Sequence, residues 1–140
     1  MAGSGMEPTT GEALVDLLAQ HDVDTVFGIP GVHTIELYRG LPAAGIRHVS
    51  PRHEQGAAFM ADAYARVTGR PGVCTLITGP GVTNAATPIA QAHHDSQPML
   101  VLSSTTATPD LLRGHGPLHD LPDQRALTAT ITAFSETVLD

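Results

Sequence analysis

The sequence predicts an α/β domain built on a parallel sheet with helices on both faces, and three observations predict it. The hydrophobic period switches repeatedly between helix-like and strand-like along the chain. The strand-like runs are continuously apolar rather than alternating, as strands buried on both faces are. Their order with the helices reads β-α-β-α-β-α-β, for which right-handed crossovers are expected. The chain has 140 residues, enough for one domain with a core and not for two.

Taken in order, Thr9-Thr10-Gly11-Glu12 has capping-box spacing, and Ala13, Leu14, Leu17 and Leu18 then fall on one helical face. Thr25–Ile29 is a short β-rich run stopped by Pro30-Gly31. Thr34–Leu41 is a short helix closed by Pro42 and Gly45, and Ile46–Val49 is a second strand. Ser50-Pro51 offers an N-cap and a first helical residue. His53–Thr68 is the clearest helix, with Ala57, Met60, Ala61, Tyr64 and Ala65 as its apolar stripe and Gly69 as its stop. Val73–Ile77 is an apolar strand running into Thr78-Gly79-Pro80-Gly81. Thr83–His94 is an Ala-rich helix and Met99–Leu102 a fourth buried strand. From Ser103 to about Ala126 the Pro-rich chain reads as loop, with a last strand expected within Ala129–Val138. Met1–Gly5 reads as flexible leader, which puts the domain at residues 9–140 after a leader at 1–8.

Composition excludes several functions. Apolar residues make up 41% and charged residues 15%, a globular balance and not a disordered one. The cations are seven Arg and no Lys against 14 acids, so no electrostatic footprint for nucleic acid or an anionic membrane exists. The single Cys74 sits in an apolar run and forms no internal disulfide, which places the protein in a reducing compartment, the cytoplasm. Its expected role is core packing. No apolar stretch reaches the roughly 18 residues of a membrane span.

In an open parallel sheet, ligands sit beyond the carboxyl ends of the strands. Three segments gather there: Gly28-Ile29-Pro30-Gly31, Arg52-His53-Glu54-Gln55, and Thr78-Gly79-Pro80-Gly81-Val82-Thr83-Asn84. Gly-rich turns allow close backbone approach, although tight strand-to-helix turns need Gly and Pro in any case. Gly79-x-Gly81-x-x-Asn84 lacks the third Gly of a dinucleotide loop, and without Lys there is no Walker loop. A flat, neutral ring suits this edge better than a phosphate chain. Glu54, an acid in a helical first turn, is favoured there by the macrodipole alone. Its apolar company of Ala57, Ala58 and Phe59 also gives it the shielding that raises a carboxyl pKa.

The runs VFGIPG, RHEQGAAFMADAYARVTG, GVCTLITGPGVTNAATPIAQAHHDSQPML and LHDLPDQ resemble the N-terminal, pyrimidine-binding domain of thiamine-diphosphate enzymes of the acetolactate synthase/benzoylformate decarboxylase type. The resemblance covers residues 10–138 in order. It implies the thiamine-diphosphate-binding fold, a three-layer sandwich around a parallel sheet, here lacking its last helix and strand. It implies that Glu54 hydrogen-bonds N1′ of the cofactor's aminopyrimidine, so that the shifted tautomer removes the thiazolium C2 proton and a 2-oxo acid is decarboxylated or its acyl unit ligated. It places Ile29, Pro30 and Gly31 along the pyrimidine, with Thr78, Pro80 and Asn84 on its other side, and Val32, His33 and His119 toward the substrate.

The resemblance further implies Mg²⁺ and diphosphate bound by a Gly-Asp-Gly domain that this sequence does not contain, supplied by another subunit of a homo-oligomer. Acetolactate synthases carry Gly where this chain has Val32, and Phe-Gln near Leu118-His119, which separates this chain from them at the substrate pocket. His93-His94-Asp95 matches the family's helix end, and His115-x-x-x-His119 lacks a third ligand, so no metal site is expected in the chain. The rival from another class is a non-catalytic oligomerisation module in which Glu54 is vestigial. An unrelated nucleotide-binding domain is disfavoured by the missing Gly and Lys.

Overall fold

The structure, a computed structural model, describes residues 8–111, 113–114 and 116–138. The expected leader, apart from Pro8, and His115 lie outside the described residues. The chain runs α1 (Thr10–Gln20), β1 (Thr25–Gly28), a 3₁₀ turn (Val32–Thr34), α2 (Ile35–Gly40), β2 (Arg47–Val49), α3 (Glu54–Thr68), β3 (Gly72–Leu76), α4 (Pro80–His94), β4 (Met99–Ser103), a second 3₁₀ turn (Thr108–Asp110) and α5 (Gln124–Ala129). The capping box forms: the Thr9 hydroxyl accepts from the Glu12 amide at 3.2 Å, and the Glu12 carboxylate accepts from the Thr9 amide at 2.9 Å.

All four strands are parallel, in the order β2-β1-β3-β4. Phe27 pairs with Val49 on one side and Cys74 on the other, and Cys74 pairs in turn with Val101. Because successive strand residues point to opposite faces, this register sorts the core into two clusters. Val26 and Val73 pack with Val15, Leu18 and Leu41 under α1 and α2. Phe27, Cys74 and Leu76 pack with Ala57, Ala61, Val82 and Ile89 under α3 and α4. The result is the three-layer α/β arrangement expected. Cys74 lies in the core as anticipated, and burial pushes its thiol pKa up to about 12, so it stays neutral at pH 7. No helix among the described residues is long and apolar enough to cross a membrane.

Four local expectations are corrected. The cap of α3 is His53, whose Nδ1 accepts from the Gln55 amide at 3.2 Å, and not Ser50, so Pro51 stays outside the helix. Helix α4 begins at Pro80, three residues before Thr83, because Pro at the first helical position loses no hydrogen bond. The stretch read as loop up to Ala126 contains the start of α5, capped by Asp123 accepting from the Ala126 amide at 2.8 Å. No strand forms in the last segment, where Thr hydroxyls turn back onto the chain instead. Thr128 donates to the Gln124 carbonyl, Thr130 to that of Leu127 and Thr132 to that of Thr128.

The far ends of α3 and α4 are tied by charge. Arg66 Nε donates to Asp62 at 2.8 Å and a second guanidinium nitrogen donates to Asp95 at 2.6 Å. Hydrogen bonds from His94, Arg66 and Gln91 hold the Asp95 carboxyl well below the usual carboxylate range. A carboxyl depressed in the fold stabilises it above the ordinary Asp value and loses that contribution as pH falls through the folded value. Asp95→Asn should therefore lower the thermal midpoint at pH 7 and converge with the parent toward pH 2. Thermal unfolding across that range checks it, and parallel curves at every pH would show that the pair contributes nothing.

Candidate functional site

The chain leaving β1 turns into α2 on one face of the sheet, whereas the chain leaving β3 turns into α4 on the other. That divergence makes the carboxyl edge of β1 and β3 the topological switch point, where an open α/β sheet has its ligand crevice. Gly31 follows β1, and a Cβ there would strike the Ile77 side chain beyond β3. Thr34 fixes the turn, its hydroxyl accepting from the Gly31 amide and donating to the Gly31 carbonyl, both at 3.0 Å. Ile29, Pro30 and Val32 thus form an apolar lip, with Pro30 and Val32 exposed.

Glu54 is the first residue of α3, half-buried, and α4, packed beside α3 on the same face of the sheet, reaches it. Asn84 Nδ2 donates to Glu54 Oε2 at 2.9 Å, orienting the carboxyl from one side. A Cβ at Gly81 would lie 2.7 Å from Ile77 and 3.7 Å from Glu54, so that residue too leaves room at this edge. The structure therefore brings Ile29, Pro30, Gly31, Glu54, Pro80 and Asn84 to one edge. Thr78 is placed differently. It is buried, its hydroxyl donating to the Gln124 carboxamide at 3.0 Å, so it holds the turn from beneath.

His33 and His119 meet on the same side, ring centroids 6.5 Å apart and planes tilted by 58°. His33 Nε2 and His119 Nδ1 are both buried without a hydrogen-bond partner among the described residues. A buried polar atom without a partner costs free energy, about 1–3 kcal/mol, and points to a ligand group or solvent. His119 also has a left-handed backbone, φ +63°, which non-glycine residues adopt rarely and functional loops harbour more often.

The donor set fits a flat aminopyrimidine: one carboxyl to share a proton with a ring nitrogen, apolar walls, and glycines that allow backbone approach. A diphosphate would find few cations: Arg39, Arg66, Arg70 and Arg125 are engaged with Glu36, Asp62 and Asp95, Asp24, and Glu136, and the three edge segments contribute one Arg, the exposed Arg52. Among the described residues no three His, Cys, Asp or Glu side chains converge as a metal site. An apolar cavity of about 440 Å³ lies near the opposite, amino end of the sheet. Leu14, Leu17, Leu100 and Leu102 line it, and its polar rim is closed on itself, Tyr64 and Arg70 both donating to Asp24 at 2.8 Å. Its remaining titratable lining, His21 and Asp22, lies on the exposed turn after α1, away from the carboxyl edge of the sheet.

Gln124, bonded to the Thr78 turn, has no signal in the sequence beyond its place in the LHDLPDQ run.

A family model described as the thiamine pyrophosphate enzyme, N-terminal TPP binding domain, matches residues 8–127. The chain is 67% identical over 131 residues to the probable 2-ketoarginine decarboxylase AruI of Pseudomonas aeruginosa, covering 94% of this chain and 23% of that protein. It is 46% identical over 101 residues to the acetolactate synthase large subunit of Parasynechococcus marenigrum, covering 69% of this chain and 16% of that one. It is 37% identical over 130 residues to the chloroplastic acetolactate synthase of Arabidopsis thaliana, covering 92% and 19%. The chain thus spans less than a quarter of the length of each of these relatives.

Proposed function

The chain belongs to the N-terminal TPP binding domains of thiamine pyrophosphate enzymes, and from that premise we propose that it forms the aminopyrimidine half of the site in a 2-oxo acid decarboxylase. The observation that carries this is Glu54, a carboxyl at a helix N-terminus on the crevice edge, oriented by Asn84 at 2.9 Å. When bound, the cofactor would supply a nucleophilic carbon and an electron sink for decarboxylation.

The chain's own residues act around it. Glu54 holds and returns a proton at the ring nitrogen facing it, a task for a positioned carboxyl. Ile29, Pro30 and Gly31 form one wall of the ring site, and Pro80 and Asn84 the other, with Thr78 fixing that second wall from below. Val32, His33 and His119 face the substrate, the two unpartnered imidazole nitrogens being the polar groups available to it. Diphosphate and Mg²⁺ are held by a second domain, in a homo-oligomer that places it on another subunit. The acidic balance of this chain supports that division.

Among 2-oxo acids the comparison favours 2-ketoarginine. Identity to AruI is 67% across nearly the whole chain, against 37–48% for the acetolactate synthases. Val32 and Leu118-His119 stand where acetolactate synthases carry other residues, in line with a different pocket. The test is turnover by the full-length enzyme with thiamine diphosphate and magnesium, 2-ketoarginine and pyruvate being offered in parallel. The expected result is carbon dioxide release from 2-ketoarginine with kcat/KM at least about tenfold above that for pyruvate. Acetolactate formed from pyruvate, with 2-ketoarginine inert, would establish the synthase activity instead. Inertness toward both would favour the non-catalytic module.

A further inference from the structure

Gln124 lies at the start of α5, and its carboxamide satisfies every hydrogen bond it can make. Oε1 accepts from the Thr78 hydroxyl and the Gly79 amide, each at 3.0 Å. Nε2 donates to the Ser103 hydroxyl at 3.1 Å and the Ser104 carbonyl at 3.0 Å. One side chain thereby joins the turn after β3 to the end of β4, and the Thr78 amide closes the link by donating to Ser104 Oγ at 3.0 Å. The turn it holds carries two parts of the site. Gly79 leads into α4 and so to Asn84 and the Glu54 carboxyl. Gly79 also lies directly under His119, whose carbonyl occupies the space that a Cβ at Gly79 would need.

We propose that Gln124 is a positioning residue that sets His119 against His33 by fixing the Gly79 turn beneath it. Substrate recognition is then coupled to the cofactor-facing helix α4 through one carboxamide, which touches neither ligand. The role assigned to His119 rests on the function proposed above, whereas the placement of its ring does not. Gln124 is half-buried, and an amide with every bond made specifies its local geometry because another side chain leaves partners unpaired.

Gln124→Glu is the discriminating change, since it keeps the shape and both acceptor contacts but removes the two donors. In the 140-residue chain, the His119 ring resonances should shift from those of the parent at the same pH, while those of Tyr64, at the opposite end of the sheet, stay in place. The difference should shrink as the pH falls and the introduced carboxyl takes up a proton, which restores one donor toward Ser104. In the full-length enzyme, KM for 2-ketoarginine should rise by about tenfold at neutral pH, the weight of one or two lost hydrogen bonds, with kcat changed by less than about threefold.

Ser103→Ala removes a single partner, and it answers the question if the Glu variant does not fold: the same resonances should move, by less. An unmoved His119 ring in whichever variant folds would overturn the proposal. So would a fall in kcat at unchanged KM, because that would place the effect on the chemistry and not on recognition. The resonances are read without turnover, so a parent enzyme inert toward 2-ketoarginine would count against the proposed function alone.

Discussion

Glu54→Gln should slow exchange of the cofactor's thiazolium C2 proton by on the order of a hundredfold or more in the full-length enzyme, the usual weight of a positioned acid–base group. The substitution is close to isosteric, and the Gln carbonyl still accepts from Asn84, so the side chain keeps its place. It cannot trade a proton with the ring nitrogen. Cofactor affinity should fall only modestly, since the apolar walls at Ile29 and Pro30 are untouched. If Glu54 were no more than an acid at a helix N-terminus, the change would cost at most about 1 kcal/mol of stability and leave exchange unaffected. Hydrogen–deuterium exchange at C2, read by NMR on quenched samples, separates the two. Unchanged exchange would end the catalytic assignment and favour the interaction module.

Gly79→Ala should be among the most damaging single changes in the fold. Gly79 has φ +69° and ψ −115°, a conformation that costs an L side chain about 1–3 kcal/mol. The added methyl would also drive into the His119 carbonyl, and overpacking of that kind typically costs about 1–3 kcal/mol more. A combined loss of about 2–6 kcal/mol is expected in urea unfolding, with the slope unchanged. The same variant should displace His119 and the start of α4, so substrate turnover should fall even where the protein remains folded. A midpoint within experimental error of the parent would show that the turn relaxes without strain.

How much was legible varied with the range of the forces involved. The capping box at Thr9 and Glu12 could be read directly, because its partners are three residues apart and the spacing is the interaction. Glu54, Gly31 and Asn84 were placed on one edge because strand ends and helix starts converge there in any parallel α/β sheet. The cap at His53 was missed because a histidine accepting at Nδ1 competes poorly, on paper, with a Ser-Pro pair just upstream. The segment 129–138 misled through the β propensity of its Thr and Ile residues. That propensity expresses packing on a sheet face, whereas these Thr hydroxyls bond the local backbone.

By itself, then, the sequence determined the layer order, the parallel sheet, and the convergence of Gly31, Glu54 and Asn84, the proposed site, at one edge. Each is written in short-range patterns: period, turn residues, and a carboxyl one residue into a helix. Only the tertiary structure decided that Thr78 is buried with its hydroxyl on Gln124, that His33 and His119 share one face with buried nitrogens unpartnered among the described residues, and that Gln124 binds the turn together. Those outcomes depend on contacts between residues 20 to 86 positions apart, brought together by closure of the sheet and by the chain's return over the end of β3. No local spacing encodes such contacts, because what selects them is the need to satisfy every polar group that the folded layers bury.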